Sequence, residues 1–458
     1  MRTRILTVFV FIGFLSMNAQ TKKWSIYECI DYAIENNISI KQQTLNADLA
    51  QEDINSAKGN FLPNLSGNAS HSYNFGSSIG QNGVRISRDT RGNNFGLNTG
   101  VTLFDGMRNV NNYEQAKLGL ETSQLDKDII QDDITINILT RYIDILAQKE
   151  NLVIAQEQVK ITEQQIDQIQ EFVNAGVRAK ADLLDVKAQL ASDIEAVVNA
   201  ESSVELSLLG LTELLQISYK GFDIQDVELD ISSVSLIYND ADEIYAKAVA
   251  TRAEIKKAQL GIERSELNVE IAKGSYYPTL TFGAGLGTSY QHSQGQEDLR
   301  PTIPDSNDPN NIVWVDNGFS QQLSDNLGYN FGFNLSIPIF NRMQTKSNVN
   351  RNIINQKRAE NNLAQQEQDL YSTVVRAYNS ARTSLNQYRA SEASVEAQEE
   401  AFRNAQESFD LGVMTSFEFE QVRIRLINAQ AAFINAKYNF VFRTKALEYY
   451  TGVPLTIN

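Results

Sequence analysis

Four short stretches of this chain alternate polar and apolar residues, although most of the remainder carries helical coiled-coil spacing. Across positions 64–75 every even residue is Asn or Ser, and the odd ones are Leu65, Gly67, Ala69, His71, Tyr73 and Phe75. Across 279–291 the parity is reversed, with Leu280, Phe282, Ala284, Leu286, Thr288 and Tyr290 on one face and Thr, Gly, Ser and Gln on the other. Positions 94–104 and 327–339 complete the set, the last placing Leu327, Tyr329, Phe331, Phe333, Leu335, Ile337 and Ile339 on one side. Successive strand side chains point to opposite faces, so strands of about ten residues with one apolar and one polar row suit a lipid-facing barrel around water. A soluble sandwich gives the same alternation, and the flanking sequence must decide.

The N-terminus points outside the cytoplasm. Arg2 and Arg4 precede the apolar run 5–15, and Ala19 offers a small residue for cleavage. That run is about half of the roughly 20 residues a membrane-spanning helix needs. Residues 1–19 are therefore predicted to be a cleaved signal peptide, with a mature chain beginning near Gln20. No later segment is long and apolar enough to span as a helix. Cys29, the only cysteine, lies without the residues of a lipoprotein cleavage site, so neither a disulfide framework nor a lipid anchor is expected.

Composition narrows the function classes. At 458 residues, 42% hydrophobic and 21% charged, the chain is ordered in pattern and large enough for a multi-part architecture. Its formal charge of −16 becomes −18 once residues 1–19, with Arg2 and Arg4 and no acid, are removed. An acidic protein is a poor candidate for nucleic acid. Catalysis is also poorly supplied, because His71, His292 and Cys29 form no ligand-spaced cluster. Both histidines fall near the loop ends of strands, where a rim or interface role is favoured over metal binding.

The chain reads as a tandem duplication. Ala57-Lys58-Gly59 with Pro63 recurs as Ala272-Lys273-Gly274 with Pro278, a shift of 215. Phe95-Gly96 matches Phe331-Gly332, and Gly176-Val177 matches Gly412-Val413, both at a shift of 236. The 21-residue difference falls between the two strands of the second half, where 294–325 carries Pro301, Pro304, Pro309 and many Asp and Asn, as a surface loop does. Its shorter counterpart is 77–93.

Helical periodicity follows the same duplication. A seven-residue series runs Ile138, Ile145, Leu152, Val159, Ile166, Val173, and its copy runs Val374, Ala381, Tyr388, Val395, Phe402, Phe409. Beyond each Gly a second series begins, Leu183, Leu190, Val197, Val204, Leu211 and then Phe419, Leu426, Phe433, Phe440, Leu447. Sustained sevens imply left-handed supercoiling. Helices over roughly 107–174 and 343–410 would each extend about 100 Å, then fold back at Gly176 or Gly412. First helices over 25–60 and 240–275 precede Pro63 and Pro278, which mark the passage to strand. The expected units are a first repeat at 20–217, an inter-repeat equatorial segment at 218–239 packing around the middle of the helical body, and a second repeat at 240–458 with a C-terminal equatorial tail.

Four strands cannot close a barrel. An unpaired strand edge is prohibitively costly in lipid, and single-chain barrels have at least about 8 strands. The barrel must be shared between protomers, two giving 8 strands and three giving 12, and pattern alone does not choose.

The arrangement resembles the TolC family of outer-membrane efflux channels over nearly all of the mature chain. The family's opening pattern stands here as Ile26-Tyr27-Glu28-Cys29-Ile30 with Ala33 and Asn36-Asn37. Its helix-turn motif stands as Phe172, Gly176, Asp182, Leu183 and Leu184, and again as Phe409, Gly412, Glu418 and Phe419. The resemblance implies a mainly α protein with a transmembrane β-barrel portion. Long antiparallel coiled-coil helices would form an α-barrel, and four strands per protomer would contribute to a 12-stranded barrel in a homotrimer. It implies a cell outer-membrane location extending into the periplasm, contact with outer-membrane lipid, and a passive conduit rather than an enzyme, with no cofactor or metal. The partners implied are a periplasmic adaptor (membrane fusion) protein and an inner-membrane transporter of a tripartite efflux pump. A type I protein secretion channel is the alternative within the class, and a structural coiled-coil tether is the alternative outside it. The polar Asn, Ser, Thr and Gly rows argue against a tether, which needs no water-filled barrel.

The resemblance places the two Gly turns at a periplasmic tip, with Gly176, Val177, Arg178, Gly412, Val413 and Met414 as adaptor-contact candidates and Asp182, Asp185 and Glu418 around a gated aperture. Gln421 stands where the family's aperture often has a second acid; Asp185 and Glu420 are candidates to compensate. Local chemistry offers a second role, since Thr415-x-x-Glu418 is a capping box and Asp182 suits the positive end of a helix dipole. The two roles are compatible. Gly176 and Gly412 meet the positive φ that a tight helix reversal commonly needs.

Overall fold

The computed structural model describes residues 22–79, 83–87, 89–227, 240–304 and 308–451. The expected signal peptide and residues 228–239 of the inter-repeat segment lie outside them. The first half contains β1 (Lys23–Trp24), α1 (Ile26–Asn36), α2 (Ile38–Gly59), β2 (Asn64–Asn74), β3 (Ser77–Ile79), β4 (Arg85–Ser87), β5 (Thr90–Phe104), α3 (Arg108–Asn174) and α4 (Lys180–Leu215). The second contains β6 (Asp223–Ile224), α5 (Ala241–Thr251), α6 (Ala253–Gly274), β7 (Thr279–Ser293), β8 (Leu299–Thr302), β9 (Val313–Asp316), α7 (Phe319–Asp325), β10 (Gly328–Ser336), α8 (Gln344–Asp410) and α9 (Ser416–Tyr450). Helices α5 and α6 repeat α1 and α2 residue for residue at the shift of 215, and α8 repeats α3 at 236.

The long helices and the strand starts after Pro63 and Pro278 fall where periodicity and proline put them, but β5 begins at Thr90, four residues before the alternation, and each first helix is two. Asn37 and Arg252, 215 apart, leave the helix for extended backbone. Asn37 caps α2, its Oδ1 accepting from Ser39 N at 2.8 Å while its Nδ2 donates to the Leu214 carbonyl. Arg252 instead pairs with Glu254 and lies 4.5 Å over the Tyr449 ring. Tertiary partners break helices that local propensity would continue. The surface loops expected at 77–93 and 294–325 carry the pairs β3–β4 and β8–β9 and the short α7.

Two compact units emerge. One draws on residues up to Thr44, on Leu125–Lys256 and on Gln365 onward; the other on Leu45–Gln124 and Lys257–Ala364. In the first unit, Cys29, Ile138, Tyr142, Ile145, Leu211 and Phe440 are buried in one cluster. It is closed by the parallel pairing of β1 with β6, a pairing too short for the sequence pattern to signal. Tyr142 fixes that pair by donating to the Gln225 carbonyl at 2.7 Å. The described end of the inter-repeat segment thus packs on α3.

The second unit carries an antiparallel sheet in the order β10-β7-β5-β2. Its register joins the predicted apolar rows, with Ala69 opposite Phe95, Leu97 opposite Leu286 and Phe282 opposite Phe333. A bulge between Thr102 and Phe104 brings Phe104 opposite Leu280, although its parity is that of the polar row. Strand β10 is shorter than the alternation suggested. It ends at Ser336, just before Pro338, which has no N–H to give a ladder.

Candidate functional site

The sheet has two chemically different faces. On the apolar one Leu65 is 76% and Phe331 74% exposed, and among the described residues no second layer covers them as a sandwich within one protomer would. On the other, Asn98 Nδ2 donates to Asn68 Oδ1 at 3.1 Å, and Gly285 lies between Asn98 and Asn330. A Cβ at Gly285 would stand 2.8 Å from Asn330 Oδ1 and 3.1 Å from Asn98 Oδ1. Glycine there leaves room for amides to lie across the strands. Among the described residues no helix is long and apolar enough to cross a membrane, so a membrane position rests on this sheet.

Both Gly turns close as Schellman motifs. Gly176 has φ 76° and Gly412 φ 74°. Val177 N donates to the Phe172 carbonyl and Gly176 N to Val173; Val413 N donates to Ser408 and Gly412 N to Phe409. Arg178 ties the two turns together, with Nη2 donating to the Met414 carbonyl at 3.0 Å, Nη1 3.9 Å from Asp182 and the guanidinium 5.3 Å over the Phe409 ring. Met414 packs against a cluster formed by Ile169, Leu183, Phe402, Phe409 and Phe419. Val177 and Val413 are instead 72% and 80% exposed. Leu184, already part of the helix-turn motif, and Leu411 and Phe417, which pattern reading missed, extend the exposed apolar surface. Their signal was an apolar residue beside each turn at a position off the heptad.

The three acids have different settings. Asp182 is half-buried in its pair with Arg178, whereas Asp185 is exposed one turn further along α4. Glu418 completes a capping box: its carboxylate accepts from Thr415 N at 3.0 Å, and Thr415 Oγ1 accepts from Glu418 N at 3.3 Å. The backbone and hydroxyl of Thr415 hold the Glu418 carboxyl below the ordinary glutamate range. Glu420 is paired within α9, its carboxylate accepting from Arg423 Nε at 2.9 Å. Burial raises its pKa, and Arg423 only partly opposes that.

Arg423 was not anticipated. It is fully buried, and Nη1 donates to Asp193 Oδ2 at 2.9 Å and to Thr162 Oγ1 at 2.8 Å. Gln189 completes the set by donating to Asp193 Oδ1. The readable signal was a pair of opposite charges on the apolar stripes of two helices, Asp193 seven residues after Val186 and Arg423 four after Phe419. Among the described residues no group of His, Cys, Asp or Glu could hold a metal ion.

A sheet with an uncovered apolar face and a polar face, carried by a mainly helical chain, defines an outer-membrane channel class. The chain belongs to the outer membrane efflux protein family of TolC-type channels, whose model matches residues 29–215 and 244–453. It is similar to the outer membrane protein TolC of Escherichia coli strain K12, at 23% identity over 94% of this chain and 82% of that one. The TolC of Vibrio cholerae is 21% identical over 98% and 95%. Among solved structures, CusC superposes with a TM-score of 0.75 at 17% identity, covering 93% of this chain and 91% of that one. The MtrE outer-membrane channel of Neisseria gonorrhoeae in its open state gives 0.69 at 18%, covering 94% and 90%. The protein is thus an efflux channel of the outer membrane that extends into the periplasm.

Proposed function

We propose that three copies close a 12-stranded barrel and that the trimer is the passive exit duct of a tripartite efflux pump, receiving substrate through a periplasmic adaptor and an inner-membrane transporter. The observation that carries the reading is the four-stranded sheet itself. Strands β2 and β10 are open edges of 11 and 9 residues, and β2 runs antiparallel to β10, so one copy's β2 can pair with the next copy's β10. Edge groups left unpaired in hydrocarbon cost several kcal/mol each, roughly, which drives closure between copies. The choice of three copies over two rests on the family likeness.

At the tip, Val177, Val413 and their exposed apolar neighbours supply a surface for the adaptor, positioned by the Arg178 clasp. Asp182, Asp185 and Glu418 of three copies would bring nine carboxylates towards one axis, where a narrow mouth concentrates their field. Planar-bilayer recordings test this. The wild type should conduct with a preference for cations that weakens at high salt, and replacing all three acids by Asn or Gln should reduce that preference in an intact oligomer. A local structural role alone, which the Thr415–Glu418 capping box and the Arg178–Asp182 ion pair support, predicts unchanged selectivity. Absence of conductance in the assembled wild type would remove the duct and favour a tether.

A further inference from the structure

The apolar face of the sheet changes character at its loop ends. Two cross-strand rows there carry rings and charge: Tyr73 opposite Arg91 opposite His292, and His71 opposite Asn93 opposite Tyr290. Tyr73 lies eight positions beyond Leu65, about 27 Å along the strand and about 20 Å along the membrane normal for a strand tilted by 35–45°. That is the outer edge of an apolar band about 25 Å tall, where an aromatic girdle is expected and where an outward-facing Arg costs little. The opposite strand ends lead to helices, so this edge lies in the leaflet facing the exterior.

Arg91 is exposed in the middle of the first row, and among the described residues it has no ion pair. Its Nη2 is 3.4 Å from the Tyr290 hydroxyl and its guanidinium lies 6.0 Å over that ring. The nearby carboxylates are already engaged. Asp298 accepts from Tyr290 Oη at 3.0 Å and pairs with His292 Nδ1 at 2.8 Å, while Asp89 accepts from Gly76 N at 2.9 Å. Beside Arg91, Tyr73, Phe75, Asp89 and His292 help line a depression of about 270 Å³. The Tyr73 and Phe75 rings are stacked at 6.3 Å and both are largely exposed.

We propose that this depression binds the phosphorylated sugar head group of an outer-leaflet glycolipid. A guanidinium fork matches a phosphate bidentately, and the adjoining rings supply an apolar wall for a sugar face and the first methylenes of acyl chains. An anionic phospholipid would satisfy Arg91 but leave the stacked rings without a matching saccharide. The inference rests on the reading that the apolar face meets lipid.

The test is native mass spectrometry of the full-length channel titrated with a bisphosphorylated di-glucosamine lipid, its dephosphorylated form, phosphatidylglycerol and inorganic phosphate. The wild type should prefer the phosphorylated glycolipid. Arg91→Gln should weaken that binding about ten- to hundredfold, as expected for a lost charge-assisted bond, and Arg91→Lys should fall between. Conductance equal to wild type certifies the variant's assembly; if Arg91→Gln does not assemble, the wild type's discrimination between the phosphorylated and dephosphorylated lipids decides. Equal binding of those two lipids, equal binding by wild type and Arg91→Gln, or phosphatidylglycerol or free phosphate binding as well as the glycolipid would each overturn the proposal. Any of these with wild-type conductance retained fails the head-group site alone; a wild type that does not conduct fails the channel reading instead.

Discussion

Arg423 and Asp193, 230 positions apart, form a buried, doubly hydrogen-bonded ion pair joining α9 to α4. The duplication does not repeat it. At the shift of 236 Arg423 corresponds to Lys187 and Asp193 to Ala429, so the pair distinguishes one helix contact from its pseudo-equivalent. Removing Arg423 leaves Asp193 buried without its counter-ion, a loss of about 3–5 kcal/mol. Arg423→Met alone should therefore lower the urea midpoint of the assembled channel far more than Arg423→Met with Asp193→Leu. Equal losses from the single and double variants would show that the pair adds no coupling.

The sheet faces make a second prediction. Phe333 and Leu335 share a face, whereas Asn334 between them belongs to the other. Arg at Phe333 or Leu335 should cost about 2–4 kcal/mol near the bilayer midplane, and Arg at Asn334 should chiefly alter conductance. Heat-resistant oligomer on gels and single-channel current measure the two effects separately. Loss of assembly from all three substitutions would show the faces wrongly assigned.

Much of this architecture was legible because two periods, two residues and seven, run long enough to be counted. The long helices and the strand parity both come from such repeats. What was not legible depends on partners distant in sequence. Asn37 breaks a helix by bonding to Leu214, β1 exists only because β6 lies beside it, and Glu420 is paired with an Arg423 that is itself held by Asp193 on another helix. The tip turns were readable as Gly at a helix end, but the clasp between them required Arg178 to reach a carbonyl 236 positions away.

Glu418 gives a pH dependence with a definite sign. Its folded pKa is depressed, so its contribution to stability is present above the unfolded value of about 4.3 and is lost as pH falls through the folded value. Glu420 runs oppositely: its pKa is raised, so its contribution is fully present below the unfolded value and is lost as pH rises through the folded one. Glu418→Gln should destabilise at pH 7 and converge with wild type in strong acid, while Glu420→Gln should not converge in that way. Thermal melts of both variants across this range measure it, and a Glu418→Gln penalty independent of pH would contradict the assignment.

Cys29 provides a probe of the first unit's core. It is buried, and burial pushes its thiol up to about 12. At pH 8 its thiolate fraction should be about a thousandfold below that of a free cysteine. Iodoacetamide should leave the folded channel unlabelled and modify it fully in concentrated guanidinium chloride; rapid labelling of the native channel would place Cys29 outside the core.

The shared barrel is tested most directly by cross-linking its two open edges. In a Cys29→Ser background, single cysteines scanned along β2 and β10 and combined pairwise should include pairs that oxidise between copies in the membrane. The account predicts a covalent ladder that ends at three chains, from protein that conducts in planar bilayers. A ladder ending at two would mean eight strands, and a conducting protein whose edge cysteines never cross-link, remaining a single chain by native mass, would contradict the shared barrel altogether.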